Sequence, residues 1–405
     1  MPEPRTVAVF VGTRADLGPL TPVIGVLAQA PQVDLHLLTG VMYDAAELEQ
    51  ALPEATGSGA RVHALAEPMG EMSTAAQLEQ GALLSAAAGR VLAEIGADSI
   101  VVLGDRWELL YVVPPAFLLG VPIVHLHGGE VTEGAVDERI RHAVTKLGDE
   151  HCVASPDAAQ RLAQMGEPEE RIHVTGAPGL DRLAAAQPLD DAALAGLLGV
   201  ERVERPVALF TYHPPTANAE APVGDWAVAA AEGTLAACGT VIGTHPGMDE
   251  GRDEIIAALS ALAAREPRFR FVDAIGAQYP AVLAAVDVVV GNSSSGVIEA
   301  ATLHLPAVDV GERQRGRLRG DNVIQAADDR ADVERAVRSA LSPESLARAR
   351  LVVNPYGSGD ASGRILDIVR RAGGAGRVKS FVDAAANGRP DDSVQDRTPG
   401  EEVAP

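Results

Sequence analysis

The chain has 405 residues, which at roughly 100–200 residues per domain predicts two folded domains. Hydrophobic residues make up 47% of the sequence and aromatic residues only 3%, so its cores must be built from Ala, Val, Leu and Ile. A formal net charge of -23 argues against nucleic acid or an anionic membrane as a partner. An anionic small ligand would need a site made locally positive by arginines and helix N-termini.

The cysteines and the first residues indicate a compartment. Cys152 and Cys238 are far apart and match neither a metal-binding nor a redox spacing. We expect two buried thiols in a reducing cytoplasm. The first residues lack the order of a secretory signal, and no apolar run reaches the length of a membrane span. The sequence therefore predicts a cytoplasmic protein without a membrane partner.

The first half of the chain alternates short β-rich runs with Ala/Leu-rich helical stretches. The predicted strands are 6–12, 33–39, 99–104, 122–127, 150–154 and 172–176. Nearly continuous apolar strands between helices are typical of a parallel sheet covered on both faces. We expect residues 1–188 to form a Rossmann-like domain.

A second series of strands follows a helix predicted around 189–199. Its members are 206–212, 239–243, 268–273, 286–291 and 306–310. They predict a second doubly wound α/β domain over 200–355. Ligands of open parallel sheets bind beyond the carboxyl ends of the strands, so the cleft between the domains is the predicted site. After a last helix within 356–375, the segment 376–405 has the composition of a disordered tail.

One strand end in the second domain has the pattern of a diphosphate site. The segment 288–300 ends a buried strand and opens a helix through Ser293, Ser294, Ser295 and Gly296. Backbone N–H groups, hydroxyls and the helix dipole would converge there on an anion. Glu299, about one turn later, is placed to accept hydrogen bonds from ribose hydroxyls. The alternative interpretation is an ordinary serine N-cap.

An arginine follows the first strand. The turn in VGTRADLGPL presents Arg14 at the cleft just before a helix begins, where it would neutralise a phosphate. The alternative is a solvated surface arginine.

Acidic and histidine residues follow two neighbouring strands of the first domain. The strand 99–104 runs into Asp105, and the next strand leads to His127 and Glu130. Charged groups at adjacent strand ends are costly in a core but useful in a cleft. We therefore interpret them as candidate acid and base groups.

Two further candidates come from a helix and from the second domain. A helix predicted over 136–147 carries Asp137 and Arg141, which share a face; the alternative is a surface i,i+4 pair. His213, after the strand 206–212, faces the same gap, although a purely structural histidine is equally compatible with its position.

Seven motifs together carry a family resemblance. They are GTRAD (12–16), GDRWE (104–108), HLHGGEVTEGAVDERIRHAVTKL (125–147), MGEPEERIHVTGAPGLD (165–181), YHPPT (212–216), GNSSSG (291–296) and DVGERQRGR (309–317). In this order, and spanning roughly residues 7 to 325, they resemble the hydrolysing UDP-N-acetylglucosamine 2-epimerases of sialic acid biosynthesis. The resemblance implies the two-domain glycosyltransferase-B fold, with the last helix packing back toward the first domain.

The resemblance also implies a reaction. UDP is eliminated across C1–C2 to give a 2-acetamidoglucal, and water then adds with C2 inverted, so that UDP and N-acetylmannosamine leave. Neither a nicotinamide cofactor nor an obligatory metal is implied, and a homodimer or homotetramer is expected. Asp105 and Asp137 match the family's acidic catalytic positions, and His213 matches its histidine near the diphosphate. The implied substrate contacts are Arg14, Asp249, Ser293, Ser294, Ser295, Gly296, Glu299 and Arg313.

The sequence departs from the family pattern twice. Where some members have a catalytic Glu in EGGE, this chain has His127 in HGGE, a variant associated with bacterial members that make sialic or legionaminic acid precursors. One extra residue also separates Gly129 from Asp137. In THPGMD, Asp249 matches the family while Gly247 replaces an Asn, which leaves the hexosamine open.

Four other functions compete with this one. The same reaction on UDP-2,4-diacetamido-2,4,6-trideoxyglucose is the first alternative. A glycosyltransferase-B transferase would share the nucleotide pocket but has no need for Asp105, Glu130 and Asp137 together. A non-hydrolysing epimerase is resembled less closely by HGGE and YHPPT, and a nucleotide-sugar sensor without turnover is expected to have lost Asp105 or Asp137.

Overall fold

Two parallel β-sheets organise the protein. The computed structural model describes residues 4–70, 73–132, 136–214, 222–247, 251–373 and 379–383. Every strand pairing in both sheets is parallel. All eleven strands expected from the sequence are present, with ends shifted by one or two residues.

The first sheet has seven strands in the order β3-β2-β1-β4-β5-β6-β7. Their bounds are β1 Arg5–Phe10, β2 Val33–Thr39, β3 Arg61–Ala64, β4 Ser99–Leu103, β5 Ile123–Leu126, β6 Glu150–Val153 and β7 Ile172–Val174. The order reverses between β1 and β4. The polar loops after these two strands therefore open a crevice at the carboxyl edge.

The second sheet has six strands in the order β10-β9-β8-β11-β12-β13. Their bounds are β8 Val207–Thr211, β9 Thr240–Thr244, β10 Phe269–Val272, β11 Val288–Gly291, β12 Ala307–Val310 and β13 Val323–Ala326. Here the order reverses between β8 and β11. The two strand ends predicted to carry His213 and the serine cluster are thus direct neighbours.

Helices cover both faces of each sheet. In the first half they are α1 Arg14–Gln29, α2 Ala45–Ala51, α3 Pro53–Gly57, α4 Thr74–Ile95, α5 Leu109–Leu119, α6 Asp137–Leu147, α7 Pro156–Gln164, α8 Leu180–Ala184 and α9 Asp191–Leu198. The later helices are α10 Val223–Leu235, α11 Arg252–Arg265, α12 Tyr279–Leu283, α13 Ser294–Ile298, α14 Arg330–Ala340, α15 Pro343–Leu351 and α16 Ala361–Arg371.

Local sequence fixes several helix ends. The Ser155 hydroxyl accepts from the Ala158 N–H and Pro156 takes the first position of α7. Asp329 caps α14 by accepting from two backbone N–H groups. At the other end of a helix, Gly96 stops α4 in the left-handed region, at φ 63°.

The end of the chain packs on the first sheet. In α16, Ile365, Ile368 and Val369 lie in the same apolar core as Leu20 and Ile24 of α1. Burial of several large aliphatic side chains, each contributing about 1.5–3 kcal/mol, fixes this helix on the first sheet.

Residues 379–383 also lie against the first half of the chain, where the Val382 N–H donates to the Gly166 carbonyl at 3.0 Å. The disordered tail predicted from residue 376 therefore does not include these five residues. The remaining tail residues lie outside the described ranges.

Both cysteines are free and buried, as predicted. Among the described residues, none of the helices combines the length and the apolar character that a membrane span requires.

Candidate active site

A buried arginine organises the acidic residues of the first domain. Arg141 on α6 is 1% exposed and forms an ion pair with Asp105, the second residue after β4. The same guanidinium donates to the Glu130 carbonyl at 2.6 Å, to Thr132 Oγ1 at 3.0 Å and to Glu138 Oε2 at 3.2 Å. Burial, together with other nearby arginines, lowers the pKa of Arg141 to about 9. Arg141 is therefore the cation that keeps Asp105 in place beside the cleft.

His127 and Glu130 form a second pair at the end of β5. His127 Nδ1 lies 2.5 Å from Glu130 Oε1. Burial opposes ionisation of Glu130, yet His127, Arg317 and Arg161 together hold the pKa of its carboxyl below the usual value. An ionised Glu130 accepts from Nδ1–H and leaves Nε2 of His127 as the basic atom. That nitrogen is buried and has no hydrogen-bond partner among the described residues.

The turn that carries this pair is tightly constrained. His127 has φ 61°, in a region that a side chain with a Cβ rarely adopts. Gly129 has φ 78°, and a Cβ there would lie 2.5 Å from the Ala158 carbonyl oxygen. The Arg161 guanidinium donates to the Gly129 carbonyl. The HGG turn thus holds His127 in one orientation.

The second domain contributes an arginine to the same cluster. Arg317 Nη1 lies 3.6 Å from Glu130 Oε2, and its Nη2 lies 3.4 Å from Thr132 Oγ1. The side chain is 13% exposed. Arg317 of the second domain therefore places a positive charge next to Glu130 of the first domain.

His213 follows β8 and has a defined tautomer. The Gly247 N–H donates to His213 Nδ1 at 2.9 Å, so the ring proton belongs on Nε2. Burial, with the positive charges of Arg313 and Arg106, holds the pKa of His213 well below its ordinary value. The ring is thus a neutral donor at neutral pH. Because the contact to Gly247 uses a backbone amide, it does not depend on the Asn that the family has at that position.

Asn292, not predicted as a site residue, joins the strand ends of the second sheet. Its side chain accepts from the His213 N–H at 2.6 Å and donates to the His213 carbonyl at 2.8 Å. Its own carbonyl accepts from Gln314 at 2.9 Å and Arg313 at 3.3 Å. His213 and Arg313 are therefore positioned relative to the serine segment by one amide.

The serine segment is a short helical start. Ser293 is the N-cap of α13, which has only five residues before the chain turns into a 3₁₀ helix. Ser295 Oγ and Glu299 both bind the hydroxyl of Tyr279, which lies 2.8 Å from Glu299 Oε2. Tyr279, which was not predicted, thus fixes the carboxylate expected to receive ribose hydroxyls.

Gly296 has a packing role. Its N–H donates to the Ser293 carbonyl, and the Cβ position at Gly296 faces Val289 and Ala307 of the sheet. The structure therefore brings the three serines to the strand end but turns Gly296 toward the core.

Arg14 lies at the mouth of the cleft. Its side chain is 56% exposed, and its Nη1 lies 3.5 Å from Oδ2 of Asp273, after β10 of the other sheet. Arg14 therefore spans the two domains at their opening.

A buried pair of carboxylates lies beneath the turn that carries Arg14. Asp16 accepts from the Gly12 and Thr13 backbone N–H groups at 3.1 and 2.7 Å. Glu108 is 1% exposed, and its Oε1 lies 3.4 Å from Nε of Arg106, two residues earlier in the chain. Burial raises the pKa of Glu108 to about 7, aided by the charge of Asp16. Sequence reasoning named GDRWE as a motif but selected only its first acid.

The other predicted residues are placed as follows. Asp137 is the first residue of α6, one helical turn before Arg141, and is half-buried. Arg141 is 1% exposed and forms ion pairs with Asp105 and Glu138, so it is a buried residue and not part of a solvated surface pair. Asp249 lies outside the described residues. No three metal-ligating side chains converge within the described part of the chain.

The arrangement defines a class of protein. Two doubly wound sheets face each other across a cleft, where arginines come from both sides of a strongly acidic chain. Beside them stand a His–Glu pair, an Asp–Arg pair and a neutral histidine. Such a site can bind an anionic substrate and move protons within it.

Comparison with known proteins gives the family. A family model described as UDP-N-acetylglucosamine 2-epimerase matches residues 27–370. The UDP-N,N'-diacetylbacillosamine 2-epimerase (hydrolyzing) of Legionella pneumophila is 31% identical over 370 residues, covering 90% of this chain and 96% of that protein. The UDP-N-acetylglucosamine 2-epimerase of Neisseria meningitidis serogroup B is 29% identical over 345 residues, covering 84% and 88%.

A solved structure has the same architecture. The crystal structure of UDP-GlcNAc 2-epimerase from Neisseria meningitidis bound to UDP-GlcNAc superposes with a TM-score of 0.71 at 16% identity, covering 91% of this chain and all (100%) of that one. The fold is therefore the predicted glycosyltransferase-B arrangement. The chain belongs to the UDP-N-acetylglucosamine 2-epimerase family.

Proposed function

We propose that the protein hydrolyses UDP-N-acetylglucosamine with inversion at C2, releasing UDP and N-acetylmannosamine. The observation that carries this proposal is the pairing of His127 with an ionised Glu130 next to the Asp105–Arg141 pair. Elimination removes a proton from C2, and hydration returns a proton to C2 while the water that adds to C1 gives one up, so each step needs a positioned donor or acceptor.

The first step breaks two bonds. The C2–H electron pair forms the C1–C2 double bond as the C1–O bond to UDP breaks, and the C2 proton passes to a base. We assign this base to His127 Nε2, because Glu130 orients the ring from the other nitrogen. The diphosphate takes the leaving electrons, and His213 Nε2–H is a neutral donor for it.

The second step adds water across the glucal. The C1 carbon takes the hydroxyl and C2 takes a proton on the opposite face from the one it lost. Asp105 and Asp137 are the acidic groups assigned to this addition. Arg141 supports the assignment because its guanidinium holds Asp105 on the cleft side of β4.

The nucleotide is assigned to the second domain. Ser293, Ser294 and Ser295 would face the diphosphate together with Arg313, and Glu299 would accept from the ribose. Arg14 would reach the phosphates from the first domain, and Asp249, which lies outside the described residues, is included by resemblance only. The contacts of Arg317 and Arg14 across the cleft support binding between a first domain of residues 1–188 and a second of 200–355.

A second substrate is favoured by one observation. The Legionella relative that matches 90% of this chain is named for UDP-N,N'-diacetylbacillosamine. UDP-2,4-diacetamido-2,4,6-trideoxyglucose is therefore the alternative substrate for the same reaction. The proposal also includes a homodimer or homotetramer in the cytoplasm, to be tested by light scattering and cell fractionation.

The test compares both UDP-sugars by anomeric NMR. Release of UDP and a free manno-configured sugar from either one supports the reaction, and the faster substrate identifies the hexosamine. UDP release only after a sugar acceptor is added would instead indicate a transferase.

The acid/base assignment has its own test. Asp105→Asn and Asp137→Asn each keep the side-chain shape but remove a carboxylate. We expect both variants to bind UDP normally by calorimetry and to lose about two orders of magnitude or more in kcat. Wild-type turnover in both would disprove the assigned roles.

A further inference from the structure

The two lysines of the chain meet at one buried carboxylate. Of 33 basic residues only Lys146 and Lys379 are lysines. Glu167 is fully buried and lies 2.5 Å from Lys146 Nζ and 2.7 Å from Lys379 Nζ. His151 Nε2 lies 3.0 Å from the same carboxylate. A chain that otherwise uses arginine thus places both of its ammonium groups at this point.

Lys379 also binds the end of helix α6. Its Nζ donates to the carbonyls of Thr145, Lys146 and Gly148 at 3.3, 3.0 and 2.7 Å. The last carbonyls of a helix lack partners within it and carry the negative end of its dipole. A compact ammonium can point at several such oxygens, whereas the planar guanidinium fork cannot. Lysine is therefore the residue suited to this position.

The neighbours of Lys379 are seated on the same surface. We call residues 379–383 the C-terminal clip. The Phe381 ring covers Gly166, where a Cβ would lie 2.5 Å from the ring, and Lys146 Nζ lies 5.1 Å from the ring centroid. The Val382 N–H donates to the Gly166 carbonyl at 3.0 Å. The clip is thus held through Lys379, Phe381 and Val382.

Helix α6 runs from the candidate active site at Asp137 to the clip at its C-terminal end. It begins at Asp137 and carries Arg141, whose guanidinium pairs with Asp105. A shift or fraying of the last turn of α6 would change where the side chains of Asp137 and Arg141 lie in the cleft.

A hydrogen-bond route runs beside the helix. Thr145 Oγ1 lies 3.3 Å from His125 Nδ1, and His125 Nε2 donates to the Gly104 carbonyl at 2.8 Å. Gly104 directly precedes Asp105. Burial lowers the pKa of His125 to about 3, so the ring stays neutral and keeps this donor and acceptor pattern.

We propose that Lys379 is a positioning residue: the C-terminal clip fixes the end of α6 and thereby holds Asp137 and the Arg141–Asp105 pair in place for the reaction. The inference rests on the proposed function for the activity that is measured. The contacts assigned to UDP come from the second domain and from Arg14, none of which belongs to α6 or to the clip, so UDP binding is not expected to depend on the clip.

The experiment uses three forms of the full enzyme beside wild type. Lys379→Met keeps the aliphatic stem and removes the ammonium, and truncation after Gly373 removes the whole clip. Truncation after Asp383 is the matched control because it retains the clip. We expect the first two to lose about ten- to a hundredfold in kcat, with KM and the calorimetric UDP affinity changed less than about twofold. The control should match wild type.

A second measurement does not depend on turnover. Hydrogen exchange followed by mass spectrometry should show faster exchange in α6 of Lys379→Met, with α5 unchanged. Folded variants with wild-type kcat, or with α6 exchange equal to wild type, would overturn the inference. If wild-type enzyme releases no UDP from either sugar, the proposed function fails, and the exchange data alone decide whether the clip holds α6.

Discussion

At the scale of single residues, the proposed base His127 depends on its partner Glu130. A histidine can replace a carboxylate base only if its tautomer and orientation are fixed. Glu130 sets the tautomer of His127 because it binds Nδ1, and the constrained HGG turn fixes the orientation of the ring. The extra residue between Gly129 and Asp137 lies in the segment that leads from this turn to α6.

Glu130→Gln tests that role. The variant loses the charge that stabilises a protonated His127, so we expect kcat to fall by about tenfold to a thousandfold with UDP affinity retained. Stopped assays and calorimetry measure the two quantities. Glu312→Gln, whose side chain is 76% exposed, is the control. If Glu130→Gln keeps wild-type kcat, His127 is not oriented by this carboxylate during the reaction.

Glu108 gives a prediction about stability and pH. Its pKa is raised to about 7 in the folded protein, so the folded state holds this proton more tightly than the unfolded state does. The resulting stability is present at low pH and is lost as the pH rises through about 7. Glu108→Gln removes the ionisable group. We therefore expect the variant to gain stability relative to wild type at pH 8, on the order of 2 kcal/mol, and little or none at pH 5.

Thermal denaturation at the two pH values measures this difference. Glu49→Gln, at an exposed position of α2, is the matched control and should show no pH-dependent gain. A Glu108→Gln variant that is equally destabilised at both pH values would show that the pKa of this carboxyl is not raised by folding.

At the scale of elements, the proposed diphosphate site lies at the strand–helix boundary after β11. Asn292 ties this boundary to His213, and Tyr279 ties it to Glu299. The three serines therefore lie on a rigid turn although α13 has only five residues.

Ser294→Glu tests the diphosphate assignment. A bulky carboxylate at this position would repel the phosphates and occupy their space, so we expect UDP affinity to fall by about tenfold or more. Calorimetry measures it, and Ser339→Glu on the far helix α14 is the control. An unchanged UDP affinity in Ser294→Glu would place the diphosphate elsewhere.

Element positions were largely predictable because buried parallel strands are apolar throughout and the polar residues follow them. The two missed strands, β3 and β13, are edge strands of four residues. RVHA and VIQA mix polar with apolar residues, and most of their side chains are at least partly exposed at the edge of the sheet. Their short length and mixed pattern leave too weak a signal in the sequence.

The candidate site was predictable only in part for a related reason. Acids and serines that follow strands stand out in the sequence, and Asp105, Glu130 and the serine cluster were selected as candidates in this way. The partners that fix them are distant in sequence: Arg317 is far from Glu130, and Tyr279 precedes Ser295 by a helix and a strand. Such pairings depend on how the two sheets face each other, which no local pattern encodes.

At the scale of the whole molecule, two sheets with their carboxyl edges facing each other place the turn proposed to bind the nucleotide opposite the proposed acid and base groups. Arg14–Asp273 at the mouth and Arg317–Glu130 at the centre bridge the two sides. In the proposed reaction, we expect such contacts to keep bulk water from the glucal intermediate, so that little of it escapes. The C-terminal clip adds contacts from residues 379–383 to the end of α6 in the first domain.

The most direct test of the reaction is to run it in deuterium oxide with UDP-N-acetylglucosamine and with the diacetamido sugar. Elimination followed by hydration replaces the C2 proton with one from solvent. The account predicts a free manno-configured sugar that carries deuterium at C2 and appears first as a single anomer in NMR spectra. A product that retains protium at C2 would contradict it.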